Sequence, residues 1–148
     1  MGEDDYHIVV QVWIRNRTGQ WLISRRSPTK TYPLCWEATA GSVLAGEDSV
    51  SGAVREVREE LGVILDPACG KLFTSYRKDK TLWRTPGFLD VWVFTNDTPI
   101  ENIVLQETET CDAMWADEDT ILQMQEDGRF VPMSQNPYCH DLFAAYRR

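Results

Sequence analysis

Histidine is scarce in this 148-residue chain, and its cysteines are few and scattered. Only His7 and His140 carry an imidazole, and Cys35, Cys69, Cys111 and Cys139 include no C-x-x-C pair, so the spacing argues against a zinc site. No apolar run approaches the length of about 18 residues needed to cross a bilayer, and no signal-peptide pattern opens the chain. A soluble protein with reduced thiols, in a cytoplasm, is therefore the expectation. Repeats, low-complexity tracts and linkers are absent too, and the length suits a single domain spanning 1–148. Basic residues are in deficit: 15 Lys and Arg against 23 Asp and Glu leave a net charge of −8. Such a field repels a nucleic-acid duplex or an anionic membrane surface. It does not exclude a small anionic substrate, because a bound cation inverts the field locally.

Large apolar groups are plentiful, with six Trp, five Tyr and five Phe to build a core. His7–Ile14 reads as a strand buried on both faces, and Trp21–Ser24 returns after the turn Asn16–Gln20, predicting a hairpin. A short strand, Trp36–Thr39, leads to Gly41. After a helix, strands are expected over Leu72–Arg77, Phe88–Phe94 and Thr110–Trp115, with Lys78–Gly87 as a hairpin tip or mobile loop. Helices are expected over Asp117–Gln125 and about Pro137–Tyr146. Strands outnumber helices and do not alternate with them, which is an α+β pattern: a mixed β-sheet with helices packed on its faces.

The most informative stretch is Gly41–Val63, GSVLAGEDSVSGAVREVREELGV. Val50, Ala53, Val54, Val57 and Leu61 recur at helical spacing and form an apolar stripe. Asp48 or Ser49 can cap the start, and Gly62 sits where a left-handed C-cap would end the helix. Gly52 inside the helix suggests close backbone packing. Glu56, Glu59 and Glu60, at i, i+3 and i+4, fall within about 100° of arc on another face. Three like charges weaken an isolated helix, so either solvent screens them or a hard divalent cation takes their oxygens. Glu47 is placed to support the helix dipole or to pair with Arg55.

This stretch resembles the Nudix box, Gly-x5-Glu-x7-Arg-Glu-U-x-Glu-Glu-x-Gly-U, with U a bulky aliphatic residue. Gly41, Glu47, Arg55, Glu56, Val57, Glu59, Glu60, Gly62 and Val63 fill every defined position. Seven identities at fixed spacing arise by chance about 10⁻⁸ times per start position. The resemblance implies an α/β/α sandwich with the mixed sheet between helices, and a pyrophosphohydrolase using Mg²⁺ (or Mn²⁺). Its substrate would be a nucleoside diphosphate linked to another group, or a related small-molecule diphosphate, cleaved by water. By the same resemblance, Glu59 and Glu60 match the principal metal ligands, and Glu56 matches a further ligand or the residue orienting water. The backbone carbonyl of Ala40 is a ligand as well, and Arg55 and Glu47 order the cluster. Family members commonly supply one more glutamate from a later loop, for which Glu109 is the first candidate and Glu107 the second. Arg25, Arg26 and Lys30 are the candidate phosphate-binding cations, and Tyr32 or Trp36 could stack on an organic group. Homodimers are common in the family, and the oligomeric state stays open.

Upstream of the box, the pattern His7, Trp13, Asn16, Gly19-Gln20, Arg25-Arg26, Lys30, Pro33 and Trp36 resembles type 1 isopentenyl diphosphate isomerase, a Nudix relative. Glu107-x-Glu109 matches that enzyme's paired glutamates, and His7 would match a metal-binding histidine. The departures favour hydrolysis. Ala40 stands where the isomerase has its catalytic cysteine, Ser42 where it has a metal-binding histidine, and Glu56 where its box carries a second arginine. Relatives of that branch carry an N-terminal hairpin before the position of Tyr6, so this chain is expected to be naturally short or trimmed. A non-catalytic nucleotide-sensing module is a further alternative, although such modules usually lose the box glutamates.

Overall fold

A computed structural model describes residues 7–78, 87–132 and 137–147. The strands are β1 (His7–Arg15), β2 (Trp21–Arg26), β3 (Trp36–Glu37), β4 (Thr39–Ser42), β5 (Gly70–Lys78), β6 (Gly87–Thr95) and β7 (Thr110–Ala116). The helices are α1 (Ser49–Leu61), α2 (Glu118–Glu126) and α3 (Cys139–Tyr146). The expected tip at 78–87 lies almost wholly outside the described residues.

All seven strands join one mixed sheet, ordered β3-β2-β1-β6-β5, with β4 added to β1 and β7 added to β2. β1 and β6 run parallel from His7↔Gly87 to Arg15↔Thr95, and both alternate apolar side chains between the two faces. Val10, Val12, Ile14 and Phe94 meet Val57 and Leu61 of α1. On the other face Trp13, Leu89, Val91 and Val93 meet Ile121 of α2 and Leu142 of α3. The result is an α/β/α sandwich. Trp13 anchors the α3 side: its ring meets Trp21 and Phe143 edge-on at 5.6 Å, and its Nε1–H donates to the Tyr138 hydroxyl at 2.8 Å. No helix among the described residues is long and apolar enough to cross a membrane.

The expected β1–β2 hairpin is only a junction. The two strands share the single pair Arg15↔Trp21 and then part, β2 continuing between β7 and β3. The edge of β1 that a hairpin would have used is taken by β4, from Val9↔Ser42 to Val12↔Thr39. The segment expected as one strand at 36–39 is thus two, broken at Ala38, with β3 following β2 and β4 following β1. Partner choice overrides local pattern here, because a short strand of mixed character pairs with whichever edge is vacant.

α1 forms as its sequence predicts. The Asp48 carboxylate caps Ser51 N–H at 2.9 Å, and Gly62 ends the helix at φ 69°. Gly52 packs closely, since a Cβ there would lie 3.0 Å from Val43 Cγ2 and 3.1 Å from Glu47 Oε1. At Gly62 an added Cβ would meet Val104 Cβ at 2.9 Å on a backbone that already disfavours side chains. Gly62→Ala is therefore expected to destabilise the protein by about 1–2 kcal/mol or more, read as a lower denaturation midpoint at unchanged m-value.

Candidate active site

The wedge where β1 and β2 part places β4 beside α1. Val43 N–H bonds the Ile8 carbonyl at 2.9 Å, so the register makes Val9–Ser42 and Gln11–Ala40 the non-hydrogen-bonded pairs. The carbonyls of Ala40 and Ser42 consequently face away from β1. Arg55 Nη2 takes the Ser42 carbonyl at 2.8 Å, and the Ala40 carbonyl points along the same side. Between them, Gly41 lets the Glu56 carboxyl lie directly on the backbone: a Cβ at Gly41 would stand 2.0 Å from Glu56 Cδ. The glycine is required by close approach rather than by a turn.

Arg55 organises the carboxylates. Nε and Nη2 fork onto Glu47 at 2.9 and 3.1 Å, and Nη1 reaches Glu56 at 3.1 Å and Glu59 at 3.2 Å. With the Ser42 carbonyl, all five guanidinium donors are committed. These bonds to anions drive the Arg55 pKa further up and that of Glu47 down.

The three box glutamates are not equivalent. Glu59 is largely exposed, Glu56 is mostly covered, and Glu60 is 5% exposed. Among the described residues the Glu60 carboxylate accepts no side-chain or backbone hydrogen bond. Burial, reinforced by the carboxylates of Glu37 and Glu56, pushes its pKa up to about 8, with Lys30 opposing. Burial also raises Glu56 and Glu37. Glu109, at the end of the loop before β7, faces the same group, and its Oε1 accepts from Lys30 Nζ at 3.0 Å. Ser27 ties the two loops together, its N–H bonding the Glu109 carbonyl and its hydroxyl the Thr108 carbonyl.

The structure thus brings together Arg55, Glu47, Glu56, Glu59, Glu60, Glu109, Lys30 and Arg26, with the Ala40 carbonyl alongside. It does not bring Arg25. Alternation along β2 turns Arg25 to the sheet face opposite α1, where it lies over the Trp36 ring at 6.0 Å and bonds the Leu34 carbonyl. Glu107 instead lines a surface cavity with Leu105 and Cys111. Trp36 is core, and only the backbone of His7 is described. Sequence reading missed Glu37, which shares the β2 face of Arg26 through the pair Ser24↔Glu37. Its signal was a carboxylate two and four residues before Thr39 and Gly41 in a strand-like run. All four cysteines are free thiols, and burial drives Cys139 up to about 12.

As they stand, no three His, Cys, Asp or Glu side chains among the described residues meet closely enough to hold an ion. Arg55 draws Glu56 and Glu59 to itself, and Lys30 draws Glu109. The donor set nonetheless fits a hard divalent cation: carboxylate and carbonyl oxygens only, around the buried Glu60 carboxylate, which has no hydrogen-bonding partner among the described residues. Glu56, Glu59, Glu60, Glu109 and the Ala40 carbonyl could hold one after small side-chain shifts.

Comparison with known proteins identifies the family and the fold. Residues 5–134 match the NUDIX domain family. The chain is 35% identical over 130 residues to an uncharacterized Nudix hydrolase of Listeria monocytogenes, covering 86% of this chain and 73% of that one. Among solved structures, a MutT protein from Methanosarcina mazei superposes with a TM-score of 0.67 at 25% identity, covering 99% of this chain and 96% of that one. A NUDIX hydrolase from Nitrosomonas europaea shares the fold with a TM-score of 0.75 at 20% identity, over 97% and 92% of the two chains.

A carboxyl whose folded pKa lies above its unfolded value binds protons more tightly in the folded state. Its stabilising contribution is complete below about pH 4.5 and is lost as pH rises towards 8. The metal-free protein should accordingly show a melting temperature that falls across that window. Glu60→Gln should flatten the upper part of the fall, as followed by thermal denaturation at stepped pH.

Proposed function

The chain belongs to the Nudix family of hydrolases, and we propose that it cleaves the diphosphate linkage of a nucleoside diphosphate joined to another group, or of a related organic diphosphate. Members of the family generally use divalent metal ions, and Mg²⁺, with Mn²⁺ as the alternative, suits an all-oxygen donor set. The single observation that carries the reading is Glu60, a buried carboxylate without hydrogen bonds among the described residues, crowded by Glu37, Glu56 and Glu109. When bound, such an ion would neutralise charge on the phosphates and acidify water.

The chain's own groups divide the remaining work. Glu56, resting on Gly41 and tethered by Arg55, is placed to orient the attacking water and to accept its proton. Water oxygen adds to one phosphorus as the bond from that phosphorus to the bridging oxygen breaks, leaving two phosphorylated products. Arg55 holds the Glu56 and Glu59 carboxylates in place through its Nη1 donors. Arg26 and Lys30, on the α1 face, supply cationic donors to phosphate oxygens. Isomerisation of isopentenyl diphosphate is disfavoured because Ala40 offers no side chain for allylic proton transfer at the point nearest the cluster.

Cleavage of a panel of nucleotide sugars, nucleoside triphosphates, ADP-ribose and prenyl diphosphates, with the phosphorylated products separated and identified by chromatography, tests the reading. Activity should vanish with a chelator and return with Mg²⁺ or Mn²⁺. Glu60→Gln should lose at least about a hundredfold in rate while melting no lower than wild type at pH 8; an unchanged rate would end the proposal. Gly41→Ala pushes only the flexible end of Glu56, so it should fold normally yet lose about a hundredfold in activity through misplacement of that carboxylate.

A further inference from the structure

Arg26 and Arg55 use their guanidinium groups in opposite ways. Every donor of Arg55 is committed within the box. Arg26 commits two: Nε to the Thr31 carbonyl at 2.5 Å and Nη1 to Glu37 Oε1 at 2.8 Å. Among the described residues, both N–H groups of Nη2 and the second of Nη1 have no acceptor. Yet the Arg26 side chain is only 16% exposed and that of Glu37 14%. A covered guanidinium with an unspent edge, beside a cluster that attracts cations, is arranged to receive an anion.

Glu37 is unusually well fixed for this purpose. Its strand β3 is two residues long but is held from both sides. Ser24↔Glu37 and Arg25↔Trp36 pair it to β2, Trp36 N–H bonds the Arg129 carbonyl at 2.7 Å, and Val131 N–H bonds the Trp36 carbonyl at 2.9 Å. The second anchor of Arg26, Thr31, lies in a loop where Tyr32 and Leu34 adopt left-handed backbone at φ 53° and 62°. Non-glycine residues persist there only where surrounding contacts impose it. That loop is pinned by Arg25 Nε to the Leu34 carbonyl and by Leu34 N–H to the Arg26 carbonyl. Two rigid acceptors therefore set the plane and direction of one guanidinium.

We propose that Glu37 is a positioning residue that aims the free edge of Arg26 at a substrate phosphate, the pair acting as a preset diphosphate clamp opposite the box glutamates. The proposal rests on the hydrolytic reading for the identity of the anion. A carboxylate that orients a cationic donor contributes by removing its freedom before substrate arrives, so its effect should appear in binding rather than in the chemical step.

Two measurements test it. In the metal-free protein, solvent exchange of the Arg26 Nη1–H proton bonded to Glu37, followed by ¹H–¹⁵N NMR, should be slow. It should quicken about tenfold in Glu37→Ala and less in Glu37→Gln, which keeps an acceptor. By calorimetry with saturating Mg²⁺, the non-hydrolysable mimic methylenediphosphonate should bind about tenfold more weakly to Glu37→Ala and to Arg26→Ala. The double variant should be no worse than Arg26→Ala alone. In turnover KM should rise with kcat nearly unchanged. Affinity for Mg²⁺ alone should fall in Glu37→Ala by no more than about threefold, the effect of one neighbouring charge. A loss as large as that in Glu60→Gln would make Glu37 a metal ligand and overturn the assignment. Unchanged mimic binding, or additive losses in the double variant, would overturn it as well. A wild type that hydrolyses no diphosphate would strike the proposed function, while the exchange and binding results would still decide the role of Glu37.

Discussion

One guanidinium makes the rest of the site tolerable. Arg55 stands against Glu47, Glu56 and Glu59 and also binds the Ser42 carbonyl, joining α1, the turn before it and β4 into one unit. Without it, three carboxylates on adjacent turns would repel one another and the exposed edge of β4 would lose a partner. Its single charge cannot balance every anion present. The surplus is deposited on Glu60, which burial and its neighbours drive towards the neutral form.

The sheet supplies the geometry that this electrostatics needs. Because β1 and β2 diverge after one shared pair, a wedge opens, and the chain from Trp36 to Ser42 crosses it by changing partner at Ala38. That crossing turns Glu37 and Arg26 towards the same space as α1 and leaves the Ala40 and Ser42 carbonyls free of the sheet. It also lays Gly41 under Glu56. Cations and carboxylates thus converge from β2, β3, β4, α1 and the loop before β7, none of which could form the site alone.

Much of this was legible beforehand. The helix, its Asp48 and Gly62 ends, its apolar stripe and the Glu47–Arg55 pairing follow from spacing within one continuous segment, where position in sequence nearly determines position in space. The mixed sheet with helices on its faces was legible from strand alternation and helix periodicity, which declare which faces need covering, and the α/β/α sandwich was implied by the resemblance to the family. Arg25 and Arg26 show the limit. Both were candidate phosphate donors, with Arg26 the first choice; a strand sends neighbours to opposite faces, and the register against β3 and β7 puts Arg26 on the α1 side and Arg25 on the other.

The sequence by itself therefore determined the family, the α+β pattern and the set of box carboxylates, because each is encoded by local periodicity or by fixed spacing along one helix, and the resemblance to the family implied the sandwich. Tertiary structure alone decided that Glu60 is the buried member of the three and that Glu37 joins the group, and it placed Glu109 and Arg26, the first candidates, beside it while Glu107 and Arg25 face elsewhere. Those outcomes depend on burial and on pairings between strands far apart in the chain. Desolvation and edge selection act on the assembled fold, and no short stretch of sequence carries them.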